Sequence, residues 1–127
     1  MKARRILPLL ALVLLMPRGG ARAVEPAALY AELCAGCHGE GTTRLSGSPY
    51  PALFGNPQVA AAGPIYVALK ALQRTGNMYP LCALASDEEI ATLANYLAAA
   101  NGSQSPPLSP AGAAALRPAV GDCPVPH

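Results

Sequence analysis

The five residues Cys34-Ala35-Gly36-Cys37-His38 gather two of the chain's four cysteines and one of its two histidines. Thiols three positions apart, with an imidazole directly after the second, form the attachment signature of c-type haem. Each residue has a task in that chemistry. The thiols add across the two porphyrin vinyl groups to give thioethers, and His38 meets the iron from the proximal face. Two other chemistries use parts of the pattern. A C-x-x-C pair alone can cycle as a redox dithiol, but that motif opens a helix in a βαβ setting, and no strand pattern surrounds it here. A zinc site needs a second ligand pair, and the remaining histidine is the terminal His127.

An electron-carrying haem iron takes a sixth ligand. Met1 is the start and Met16 lies in the apolar leader, so Met78, in "GNMYP", is the methionine available. Gly76 and Pro80 keep its segment out of a helix. A lone Met can instead fill a core gap, but a loop position between two helical segments favours ligation. His127, Cys82 and Tyr79 are the other donors. A His/Met pair raises the reduction potential, because thioether sulfur favours ferrous iron.

The surrounding chain has to hold these groups. Pro26 fits a first helical turn, and "AALYAEL" sets Leu29, Tyr30 and Leu33 on an apolar face just before Cys34. "SGSPYPALFGNP" reads as loop. A second helix is expected from Pro64 through "PIYVALKALQRT", with Ile65, Leu69 and Leu72 at i, i+4, i+7 and Gly76 ending it. Ser86 and Glu89 form a capping box for a last helix, and Asp87, Glu88 and Glu89 oppose its positive dipole end. Ile90, Leu93, Tyr96 and Leu97 are its buried stripe, and Gly102 its stop. No segment alternates with period two, so the class is all-α: three or more helices around one covalently bound haem. About 79 ordered residues are marginal for a core on area alone, so haem has to fill the centre.

The N-terminus reads as an export signal. "MKARR" is basic, "ILPLLALVLLM" is an apolar run too short to span a bilayer as a helix, and Ala21-Arg22-Ala23 offers a cleavage site. Residues 1–23 are therefore expected to be a cleaved signal, giving a periplasmic product with no permanent membrane span. Beyond residue 23, Arg44, Lys70, Arg74 and Arg117 stand against seven acidic residues, a balance of −3. That balance gives nucleic-acid binding no electrostatic support. In an oxidising compartment the spare Cys82 and Cys123 are expected to pair. The bridge closes about 41 residues, worth roughly 4 kcal/mol in the chain-entropy picture. Residues 103–127, rich in Pro, Ala and Ser, read as an irregular extension that this bridge pins beside the Met78 loop.

"CAGCHG", "YPALFG", "GNMYP" and "SDEEIATLANYL" together resemble the class I cytochromes c, over roughly Pro26 to Gly102. The finer pattern of "YPALFGNPQV" and "SDEEIATLANYL" is most similar to small cytochrome domains serving periplasmic dehydrogenases. The resemblance implies a cytochrome c domain over residues 24–102. It also implies that the Pro51 carbonyl accepts a hydrogen bond from the proximal imidazole and that Leu53 packs on the haem. Arg44, Tyr50, Tyr66 and Tyr79 are candidate donors to the haem propionates. The family's small residues at the crossing of first and last helices are represented by Ala27 and Ala28. The function implied is one-electron transfer from a dehydrogenase or respiratory donor to a terminal oxidase or another cytochrome, not enzymatic catalysis. The acidic balance fits partners with a positive docking patch. A gas-binding sensor or weak peroxidase is the alternative if Met78 is a labile ligand.

Overall fold

Pro26 has no amide hydrogen to lose and opens α1 (Pro26–Leu33) in the first turn, where none is needed. A computed structural model describes residues 25–73, 78 and 80–117. The expected export signal over residues 1–23, Arg74, Gly76, Tyr79, Cys123 and His127 lie outside the described residues. After α1 come the short α2 (Ala35–His38), α3 (Pro57–Leu72), a 3-10 turn at Leu81–Ala83, α4 (Asp87–Ala100) and α5 (Pro110–Leu116). No strand occurs among the described residues, and the all-α expectation holds.

α4 is the centre and packs against α1, α3 and α5. Its start is the expected capping box: Ser86 Oγ accepts from the Glu89 amide, and Glu89 accepts from the Ser86 amide. Its end turns on Gly102 at φ 72, with Gly102 and Ser103 amides donating to the Ala99 and Ala98 carbonyls. Ile90, Leu93 and Leu97 are buried, and Tyr96 is half-buried. Each full burial of this kind is worth about 1.5–3 kcal/mol.

Three local expectations need correction. First, α3 already starts at Pro57, capped by Asn56 Oδ1, and breaks at Gly63, whose φ of 73 and ψ of −164 suit glycine alone. The second half does run from Pro64, but it ends at Leu72. Its inward line is Pro64, Ala68 and Leu72, while Ile65 faces out at 53% exposure. Apolar residues ring this helix, and the small Ala68 lets it approach α4 closely. Second, α1 meets α4 through Leu29 and Tyr30, not through Ala27 and Ala28, which are exposed. Tyr30 packs edge-on against Phe54 at 4.9 Å and lies 6.3 Å from the Tyr96 ring. Third, the extension is not irregular throughout. Ser109 caps α5, Pro110 begins it, and Ala113 is fully buried. An alanine-rich helix needs little lateral room, so it lies close along α4.

Candidate functional site

Cys34 closes α1, and α2 carries Cys37 and His38 one turn further on. α2 ends at Gly39, φ 73, and the Tyr30 hydroxyl donates to the Gly39 carbonyl. Thus the attachment motif is fastened back onto the helix before it. Across from it, the loop over residues 48–56 is held by asparagines. Asn101 Nδ2 donates to the Leu53 carbonyl at 2.8 Å, and its Oδ1 accepts from the Asn56 amide at 2.7 Å. Asn56 Nδ2 donates to the Ala52 carbonyl at 3.0 Å. That anchored loop presents the Pro51 carbonyl to His38, whose Nδ1 donates to it at 2.7 Å. The bond fixes the tautomer with the proton on Nδ1 and leaves Nε2 as a lone-pair donor.

A cavity of about 560 Å³ opens beside this arrangement. Cys34, Cys37, His38, Tyr50, Pro51, Leu53 and Met78 all border it, brought together from three stretches of chain. The volume lies in the range of cofactor sites. Leu33, Val59, Val67, Leu81, Leu93 and Leu97 supply an apolar wall. Met78 is half-buried. Arg44 is exposed and does not border the cavity. Tyr66 does, with its hydroxyl donating to Gln58 Oε1 at 2.9 Å. Lys70, 5.7 Å from the Tyr66 ring centre, is a rim cation that sequence reasoning passed over. Its i+4 spacing from Tyr66 was the available signal. Asn56 and Asn101 were also passed over. They sit 45 positions apart, and no local pattern announces such a contact.

Burial pushes the Cys34 thiol up to about 11. A dithiol oxidoreductase works through a thiolate of lowered pKa in a partly exposed, electropositive setting. Cys34 has the opposite character, a neutral thiol facing an apolar cavity.

Helices around a cavity that joins a C-x-x-C-H motif to a methionine define a class I c-type cytochrome. A family model described as "Cytochrome C oxidase, cbb3-type, subunit III" matches residues 21–97, and the chain belongs to that family. No curated protein and no solved structure matches the chain. The family implies haem c and electron transfer rather than enzymatic catalysis. The residues present fit that group: two free thiols, an imidazole with Nε2 available, a thioether and an apolar wall around a cavity of suitable size. Among the described residues no helix is long and apolar enough to cross a membrane.

Proposed function

We propose that this protein is a monohaem cytochrome c that carries single electrons in the periplasm, from a dehydrogenase or respiratory donor to an oxidase or another cytochrome. One observation carries the reading: Cys34, Cys37, His38 and Met78 border a single apolar cavity. The sequence holds one C-x-x-C-H motif, so one haem is expected. Bound through thioethers, haem supplies an iron that cycles between ferric and ferrous states without bond-making to substrate.

The chain's own residues set the conditions for that cycle. His38, held by the Pro51 carbonyl, is a strong and oriented nitrogen donor. Met78, on the border of the same cavity, would supply a second protein ligand to the iron, and its thioether would favour the ferrous state. Leu53, Leu93 and Leu97 keep water away, which limits reorganisation when the charge changes. Tyr50, Tyr66 and Lys70 on the rim are the donors placed to meet carboxylates of the group. Arg44 remains a candidate only if its exposed loop moves. The family's name ties its members to an oxidase, which supports a respiratory acceptor. The acidic balance of −3 favours cationic docking faces. The leader supports export, and export supports a Cys82–Cys123 bridge. Cys34 and Cys37 are the free cysteines among the described residues, and Cys82 is not one of them.

The test is expression in a host able to attach haem. The product should be coloured, with haem that acidified organic solvent does not extract. Met78→Ala should change the ferric spectrum and open the ferrous protein to carbon monoxide. A colourless product refutes the proposal. Rapid carbon monoxide binding by the unmodified protein would point instead to a gas-binding role. Exchange of electrons with periplasmic dehydrogenases and oxidase-containing membranes then identifies the partners.

A further inference from the structure

Arg117 makes three contacts near the cavity from a part of the chain that residues 21–97, the family match, do not include. Its Nε donates to the Asp87 carboxylate, Nη1 to the Cys82 carbonyl at 2.6 Å and Nη2 to the Ala85 carbonyl at 2.7 Å. These acceptors run from Cys82, inside the 3-10 turn Leu81–Ala83, to Asp87 at the start of α4, and the turn begins three residues after Met78. Met78 and Leu81 both border the cavity, and Pro80 and Leu81 are buried. The amides of Leu84 and Ala85 both turn back onto the Leu81 carbonyl, so the guanidinium takes up other carbonyls of the turn.

A continuous track delivers Arg117 to this place. Leaving α4, the chain passes the Gly63 break so closely that a Cβ there would stand 2.5 Å from Ser105. Asn95 then grips both backbone groups of Leu108, donating to its carbonyl at 2.8 Å and accepting from its amide at 2.7 Å. α5 follows along α4 with Ala113 buried, and Arg117 caps its end.

We propose that Arg117 is a positioning residue for Met78. It fastens the turn after Met78 to the start of α4 and so holds the thioether in the cavity against displacement by small external ligands. The inference rests on the reading of Met78 as an iron ligand. The segment carrying Met78 has two ends. One leaves α3 at the buried Leu72, and the other enters the turn that Arg117 holds. Any displacement of Met78 that carries the following turn with it has to break the Arg117 bonds to the Cys82 and Ala85 carbonyls, bonds that water can replace. A lysine keeps the charge beside Asp87 but lacks the fork needed for both carbonyls.

The experiment follows imidazole binding to the ferric, haem-loaded, full-length protein by absorbance. It compares native protein with Arg117→Gln, Arg117→Lys and Ile90→Val. Each is made with Cys123 intact and as Cys123→Ser, because a Cys82–Cys123 bridge, if formed, would tie the same turn to the same extension. Arg117→Gln is expected to bind imidazole about tenfold faster in the Cys123→Ser background, about 1.4 kcal/mol on the opening step. Arg117→Lys should behave nearly the same, and it serves if the glutamine variant does not fold. Ile90→Val, a change in the buried core outside the Arg117 contacts, should bind at the native rate. Native rates for both Arg117 variants in both backgrounds overturn the inference, as does equal acceleration by Ile90→Val. Met78→Ala separates the two failures. If it leaves the spectrum unaltered, the ligand reading falls and this inference with it. If it alters the spectrum while the Arg117 variants bind at the native rate, this inference alone falls.

Discussion

Replacing both attachment cysteines, Cys34→Ala with Cys37→Ala, and purifying the chain free of porphyrin should leave it without a cooperative fold. The reason is the size of the cavity and the character of its wall. An unfilled hollow of about 560 Å³, at about 24 cal/mol per Å³, costs about 13 kcal/mol as an upper bound. The cavity is partly open, so water relieves some of that, but its wall, with six leucines and two valines among its lining residues, is mostly apolar and offers water few partners. If only a third of the bound applies, about 4 kcal/mol is lost from a total stability of about 5–15 kcal/mol. Otherwise the two alanines remove only one exposed thiol at Cys37 and one small buried thiol at Cys34. The assay is far-ultraviolet circular dichroism with urea titration, beside the haem-loaded protein. The expected result is reduced helix content and a broad, non-sigmoidal loss of signal. A sigmoidal urea transition with the helix content of the loaded protein would refute the reasoning, since α1, α3 and α4 would then close on each other without the group.

Other perturbations have definite outcomes. With Cys34 as a free thiol, burial, followed by nearby Cys34 and Glu40, pushes the Tyr30 hydroxyl up to about 12 from 10.0; burial, the largest cause, would remain with Cys34 as a thioether. The folded chain therefore keeps a proton that the unfolded chain releases between those values. Its contribution to stability is full below pH 10 and falls as pH rises towards 12. Tyr30→Phe should flatten that alkaline decline in urea midpoints, while costing about 1 kcal/mol near pH 8 through the lost bond to the Gly39 carbonyl. Gly63→Ala should destabilise by about 2–4 kcal/mol, because alanine disfavours φ 73 and its methyl meets Ser105. A lowered thermal midpoint with unchanged haem spectrum is the readout. Asn95→Ala should cost about 1–3 kcal/mol and make residues 103–117 sensitive to limited proteolysis, since it releases both backbone groups of Leu108.

The parts of this fold that were legible in the sequence are those with local causes. The C-x-x-C-H spacing, Pro26 in a first turn, the Ser86–Glu89 box and Gly102 as a stop each act within four or five residues. Their signals survive without knowledge of the rest of the chain. The face of α3 was not legible, because apolar residues surround that helix and hydrophobicity alone does not choose between the lines through Ile65 and Ala68. Close packing on α4 chose the smaller residue. α5 was not legible either. Alanine forms helix readily, but it writes no amphipathic stripe, so "AGAAAL" between prolines looks like spacer. Arg117 finds its acceptors 30 to 35 positions away, and such contacts leave no periodicity to read.

The two sides of the cavity are built by different means. On the proximal side, Cys34, Cys37 and His38 ride on adjoining helices, and the Pro51 loop is tied to α4 by Asn101. All of these anchors except Asn101 lie within residues 21–97, and Asn101 lies just beyond. On the distal side, Met78 is followed by a turn whose fastening comes from Arg117, twenty residues past the family match. On the reading proposed above, attachment of the group would depend on residues inside the family match, while restraint of the Met78 side would depend on residues beyond it. On that proposal, a change at Arg117 would alter how readily the thioether leaves without touching Cys34, Cys37 or His38. A change at Asn101, by contrast, should disturb the Pro51 carbonyl and with it the tautomer of His38. The two kinds of change are therefore expected to separate in experiment: variants of the extension in ligand exchange, variants of the Asn101 tie in the basicity of the proximal imidazole and hence in reduction potential.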